Sequence, residues 1–260
     1  AILLFSVAMD WLPSFGYEQL FRDNRFPDGD RIGDANQVSL GVTTRFIDHD
    51  TGLEKLNLAL GQIFYMRDRE VQLHPTDPVE TTSFSPYVAR AFWTINEAWS
   101  WRTETQMDTE VSNLDTLVTG VAYRGKTGNL LNLNYNYYDD GAITADPEVG
   151  KIKQTDISFI WAVSRRWSLM GRWGYDIEEY RSFDNIAGVE YESCCWRARL
   201  VNRRYLKESN TEPDVLEPIQ GIYIQVELKG LGGVGGTVDS ILEEGIGGYL
   251  EREAMRPPKF

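Results

Sequence analysis

The chain has 260 residues, with 39 Asp and Glu against 26 Lys and Arg and a formal net charge of -13. So acidic a balance argues against a nucleic-acid partner, because phosphate binding needs a basic face. Hydrophobic residues make up 42% and charged residues 25%, enough for one large domain or two small ones; no run of about 18 apolar residues offers a membrane-crossing helix.

The opening, AILLFSVAMDWLPSFGY, is apolar but has no basic n-region and no small-residue cleavage site. It reads as the interior of a longer sequence, not as a signal peptide. From there on, alternation with period 2 recurs almost everywhere. In LNLNYNYY, Leu131, Leu133, Tyr135 and Tyr137 share one face, and Asn132, Asn134 and Asn136 the other. ISFIWAV puts Ile157, Phe159, Trp161 and Val163 together, and WSLMGRWGYD sets Trp167, Leu169, Trp173 and Tyr175 against Ser168, Arg172 and Asp176. GIYIQVELKG sets Ile222, Ile224, Val226 and Leu228 against Tyr223, Gln225, Glu227 and Lys229. No comparable stretch carries the spacing of an amphipathic helix. The pattern predicts about twelve strands before residue 230, many near the ~10 residues of a tilted membrane strand.

Connections take turns in length. Short ones are DHDTG (48–52), INEAW (95–99), RGKTG (124–128), SRRW (164–167) and ESCC (192–195). Between them lie longer polar ones at 13–35, 67–83, about 108–114, 139–152, 178–183 and 207–219. A soluble β-sandwich has no reason to sort its loops this way. An outer-membrane barrel does, with short periplasmic turns and long extracellular loops. One strand face is aliphatic or aromatic, which suits lipid; the other carries Asn, Ser, Gln, Arg, Glu and Gly, which suits a wet lumen. Trp93, Trp99, Trp101, Trp161, Trp167 and Trp196 fall near strand ends, as interfacial girdles do. The fold class is therefore an all-β antiparallel transmembrane barrel, wall at 1–230 and glycine-rich tail at 231–260; the alternative is a soluble all-β domain with one buried face.

Few residues carry chemistry. Cys194 and Cys195 are the only cysteines. Adjacent cysteines rarely bond to each other, because the linking peptide resists the ring geometry. Loop parity puts them on the periplasmic side, in an oxidising compartment. His49 and His74 sit on separate connections without metal-ligand spacing. No nucleophile, Walker or dinucleotide motif occurs, and no cofactor is expected. LGGVGG (231–236) reads as a flexible exit rather than a phosphate cradle. Arg197, Arg199 and Arg203 alternate on the lumen face of one strand, where they face either anionic lipid phosphates and a plug protein, or nearby Glu and Asp. Phe260 fits a terminal assembly signal, but Pro257 and Pro258 cannot occupy a strand interior, so the strand at 220–230 is the better candidate.

Three stretches carry a family resemblance. LFRDNRFPDGDRIGDANQVSLGVTTRF (20–46) looks like the extracellular loop and following strand of the LptD family, the lipopolysaccharide-assembly proteins of Gram-negative outer membranes. GVEYESCCWRARLVNRRY (188–205) is similar to that family's strand pair around a Cys-Cys dipeptide, and GIYIQVELKGLGGVG (221–235) resembles its final strand and exit. The family's periplasmic jelly-roll and earlier barrel strands have no counterpart here. The resemblance implies that Cys194 and Cys195 form disulfides with cysteines of that periplasmic region, and that a seam lies between the first and last strands. The strand at 220–230 would then be the last, its face Tyr223, Gln225, Glu227 and Lys229 lining the seam. It also implies an LptE-type lipoprotein plug, a periplasmic Lpt bridge and contact with membrane lipid, and transport of lipopolysaccharide without catalysis. The alternatives are a diffusion porin and, third, an enzyme barrel, for which no acid/base or Ser/His set is visible.

Overall fold

The computed structural model describes residues 16–22, 24, 32–72, 78–109, 113–139, 151–208, 216–229 and 232–255. The apolar opening up to residue 15, His74 and the RPPKF end lie outside them.

Alternating residues make strands here because successive side chains point to opposite faces. Those described are β1 (Gln37–Ile47), β2 (Glu54–Tyr65), β3 (Tyr87–Thr94), β4 (Trp99–Met107), β5 (Leu114–Arg124) and β6 (Leu130–Tyr138). They continue with β7 (Ile152–Ala162), β8 (Trp167–Asp176), β9 (Arg181–Glu192), β10 (Trp196–Glu208), β11 (Leu216–Leu228) and the short β12 (Gly232–Val234). All pair antiparallel with their sequence neighbours in one twelve-stranded sheet running from β1 to β12. The fold is all-β and antiparallel, and the sheet is open, ending at β1 and β12.

Three details differ from the sequence reading. Among the described residues eleven strands precede residue 230, against an expected dozen or so, and a twelfth lies in the glycine-rich segment. The connection expected to be long at 178–183 is a tight one at 177–180, because Asp176 accepts the Glu178 and Glu179 amides and closes it. Tyr180 stands at φ 50 within it, a left-handed conformation uncommon outside glycine. The connection at 108–113 is no longer than the short one at 48–53, whereas those at 66–86, 139–151 and 209–215 are longer than the short connections on either side.

Burial is inverted relative to a water-soluble sheet. On one face Val42, Ile222 and Ile224 are 73%, 70% and 65% exposed, while on the other Ser158, Arg199 and Gln225 are 1%, 1% and 6% exposed. A soluble protein hides the first set and wets the second; a barrel wall in lipid does the reverse. Strand register carries the pattern across the sheet: Leu133 lies beside Val121 and Ile157 outside, and Asn132 beside Ala122 and Ser158 inside. Pro218 donates no ladder bond, and it sits where β11 has no neighbour on its outer side among the described residues.

Two short helices cover part of the inner face. Val238, Ile241, Leu242 and Gly245 recur along one side of α1 (Thr237–Gly245), and Tyr249 and Arg252 are the buried residues of α2 (Tyr249–Met255). The apolar side of α1, with Ile246 and Tyr249, packs on Leu130, Ile160, Met170, Ile186 and Val201, which interrupt the otherwise polar lumen face. Gly235 turns the chain from β12 into α1 at φ +99, and a Cβ there would collide with the Ile224 carbonyl oxygen. At the other end of the sheet a 3-10 helix (Tyr17–Phe21) buries Leu20 against Ile63 and Val88. No helix among the described residues is long and apolar enough to cross a membrane.

Candidate functional site

Apart from those at 108–113 and 177–180, the short connections gather at one end of the sheet, and aromatic rings mark that end. Trp99 meets Tyr123 at 4.9 Å between centroids and Tyr123 meets Trp161 at 5.9 Å; further along, Tyr191 meets Trp167 at 4.9 Å and Trp196 at 5.0 Å. Amphipathic rings favour the interface between hydrocarbon and water, and this row suits such an interface. The cysteine turn projects just beyond it.

That turn is 193–195, between β9 and β10. The Ser193 amide donates to the Trp196 carbonyl at 2.9 Å, and the Ser193 hydroxyl accepts the Trp196 amide at 3.3 Å. So tight a turn leaves no room to tuck a side chain inward: Cys194 and Cys195 are both exposed and both free, with Sγ atoms 2.7 Å apart. Hydrogen bonding to Cys194 pushes the Cys195 thiol up from its ordinary pKa. Lys229 lies just past the end of β11. Its amine reaches back to Glu192 Oε1 at 2.9 Å and donates to the Ser193 carbonyl at 2.8 Å, and its amide donates to the Cys195 carbonyl at 3.0 Å. The turn is thus fastened to the end of β11.

Tyr223, Gln225 and Glu227 do face the lumen, opposite Val201, Arg199 and Arg197. The three arginines are engaged by acids of the wall and of the helices. Arg199 Nε donates to Glu190 Oε2 at 2.7 Å, its Nη1 to Gln225 Oε1 at 2.9 Å and Asp239 Oδ1 at 2.6 Å, and its Nη2 to Glu253 Oε2 at 2.9 Å. Arg197 is shared by Glu227 and Glu253. Arg203 bridges Asp184 at 3.0 Å and Glu244 at 3.2 Å. Burial raises the Asp239 pKa, but hydrogen bonds from Tyr249, Gln225 and Arg199 outweigh it and hold the carboxyl below its usual range. Burial pushes the Tyr249 phenol up. Both stay in the forms the network needs, an accepting carboxylate and a donating hydroxyl.

Glu190, Asp239, Tyr249 and Glu253 were not singled out by sequence. The signal was present in TVDSILEEG and YLEREAM, whose acids alternate with apolar residues at helical spacing, but each segment is too short to stand out. An open cleft of about 460 Å³ remains between the helices and the β10–β11 pair, lined by Arg197, Gln225, Glu227 and Tyr249. His49 lies in the turn after β1, apart from this region.

A sheet with a wet, charged inner face, an apolar outer face and an aromatic row along one rim is a wall segment of a transmembrane β-barrel. The family described as LPS transport system D (LptD) matches residues 11–167. The chain belongs to that family. It is 35% identical to the LPS-assembly protein LptD of Ectopseudomonas mendocina and 37% to that of Pseudomonas aeruginosa strain LESB58, each over 93% of this chain and 29% of the relative. The same protein of Saccharophagus degradans is 37% identical over 92% of the chain. The chain therefore spans about 29% of the length of these relatives. Among solved structures, P. aeruginosa FpvA bound to pyoverdine superposes with a TM-score of 0.34 and 14% identity, covering 74% of this chain and 32% of that one. The NanC porin gives a TM-score of 0.30 and 8% identity, covering 74% and 93%. Both likenesses are weak, and the assignment rests on the family match.

Proposed function

We propose that this chain is the C-terminal part of the barrel wall of a lipopolysaccharide translocon in the Gram-negative outer membrane, with residues 1–230 as wall and 231–260 as the tail that folds against it. Lipopolysaccharide passes from a periplasmic jelly-roll domain into the barrel, and then sideways into the outer leaflet. No catalysis is involved. A closed barrel blocks that sideways route, since every strand is bonded to two neighbours, so the wall parts at a seam bordered by β11. Tyr223, Gln225 and Glu227 line its inner side. A lipoprotein of the LptE type fills the rest of the lumen, and a periplasmic bridge of Lpt proteins delivers the lipid.

The observation that carries this reading is the cysteine turn. Two exposed, adjacent thiols stand beyond the aromatic row, on the side where the connections are short. A porin needs no such anchor; a barrel fed by a separate periplasmic domain does. Each thiol forms a disulfide with a different cysteine of that domain. The test is a non-reducing gel of the full-length protein. Replacing both Cys194 and Cys195 with Ser should abolish the oxidised species and impair export, with each single replacement milder. Unchanged migration of the double variant sinks the anchor.

A further inference from the structure

β11 is attached to the wall in two ways. Its inner edge pairs with β10 along its whole length, from Trp196↔Leu228 to Glu208↔Leu216. Its lumen side is also tied to the C-terminal helices. Gln225 donates to Asp239 of α1 while accepting from Arg199 of β10. Glu227 and Glu253 of α2 share Arg197 of β10, and Tyr223 packs against the helix core. The helices in turn grip strands far from β11. Arg252 Nε donates to the Gly128 carbonyl at 2.7 Å, and Arg124 and Asn132 donate to the Gly247 carbonyl at 3.1 Å and 3.0 Å; on β10 itself, Arg203 holds Glu244. Among the described residues, the outer edge of β11 pairs only at Val226–Leu228, with β12.

We propose that α1 and α2 are an internal brace that fastens β11 to β10 from the lumen side, so that the wall parts on the outer edge of β11 and not between β10 and β11. This inference rests on the seam reading for its purpose and names what keeps the seam in place. The physical ground is a difference in what each opening breaks. Parting β10 from β11 breaks a full ladder and separates Arg199 and Arg197 from Gln225 and Glu227 in a buried setting, where lost partners are costly. Parting the outer edge leaves both networks whole. The brace is built of side chains, so its removal leaves the ladder of β10 and β11 in place but easier to open.

The test is hydrogen exchange on the full-length protein in lipid nanodiscs. Asp239→Asn with Glu253→Gln weakens the ties of both helices to Arg197, Arg199 and Gln225 while leaving the Arg199–Glu190 and Arg197–Glu227 pairs; a second variant, which ends the chain after Gly235, removes the helices altogether. Amides of 216–225 that bond to β10 should exchange about tenfold faster or more in both, with β6 to β8 unchanged, because local opening has its own free energy. Unchanged exchange at 216–225 overturns the brace. Acceleration spread evenly over β1–β11 also overturns it, since the helices would then be a general stabiliser. If the shortened chain fails to fold, the double variant decides alone. The readout needs no lipopolysaccharide, so a seam disproved by crosslinking leaves the brace standing, and a brace disproved by exchange leaves the seam to its own test.

Discussion

Replacing Arg199 by Ala should be among the most damaging single changes in this wall. The guanidinium is wholly buried and serves five acceptors at 2.6–2.9 Å. The worst consequence falls on Glu190, whose side chain is 1% exposed. Arg252 at 3.7 Å and Arg197 at 3.9 Å stand farther from it. Asp239 and Glu253 are more exposed and keep Tyr249, Gln225, Arg197 and Arg252, so they add less. Breaking a buried pair by removing one partner costs about 3–5 kcal/mol, and that is the loss expected for Arg199→Ala. Arg199→Lys keeps the charge but not the planar fork, and should lose about 1.5–3 kcal/mol. Removing both charges, as in Arg199→Met with Glu190→Gln, should lose less than Arg199→Ala, since no uncompensated charge stays buried. Guanidinium unfolding of the full-length protein in lipid vesicles, followed by tryptophan fluorescence, measures all three. A loss below about 1 kcal/mol for Arg199→Ala, the range of ordinary surface substitutions, would refute the argument, as would a double variant no better than the single.

Other expectations concern orientation, the lipid face, the thiols and the seam. With a membrane-impermeant maleimide on intact cells, Asp68→Cys should be labelled and Arg165→Cys should not; the opposite result reverses the orientation and moves the native cysteines outside. Leu133→Arg, mid-strand on the outer face, should destabilise the barrel by about 2–4 kcal/mol in vesicle unfolding, whereas Asn132→Gln on the lumen face should cost far less; equal losses would mean that the outer face does not meet lipid. With the raised thiol of Cys195, less thiolate is present at pH 8 than in an ordinary cysteine, so alkylation of the reduced protein should be slow there and quicken as pH rises. Cys194→Ala removes the cause and should shift the pH–rate curve of Cys195 to lower pH; a curve that stays put rejects the coupling. A crosslink from Gln225→Cys to the strand facing the outer edge of β11 should block lipopolysaccharide export without lowering stability, while one joining β7 to β8 should leave export intact; full seam crosslinking with continued export would end the seam reading.

Strand content, the two faces and the rim were legible in the sequence because each depends on local pattern. Period-2 alternation assigns Leu131, Leu133 and Tyr135 to one face and Asn132, Asn134 and Asn136 to the other without knowledge of any partner strand. Even the lumen placement of Arg197, Arg199 and Arg203 follows from parity along β10. What those arginines meet was not legible. Glu190 lies across one register pair, but Asp239, Tyr249 and Glu253 come from a segment 40 to 54 residues away in the chain, and only folding brings them together. The helices escaped notice because α1 has nine residues and α2 seven, set among glycines, and helices so short are marginal by themselves. They exist because the lumen wall offers Leu130, Ile160, Met170, Ile186 and Val201 to cover and buried cations to neutralise. The sequence determined a wall with a wet side and a greasy side; the tertiary structure decided that its own C-terminal segment would fold back onto the wet side and tie the terminal strand in place.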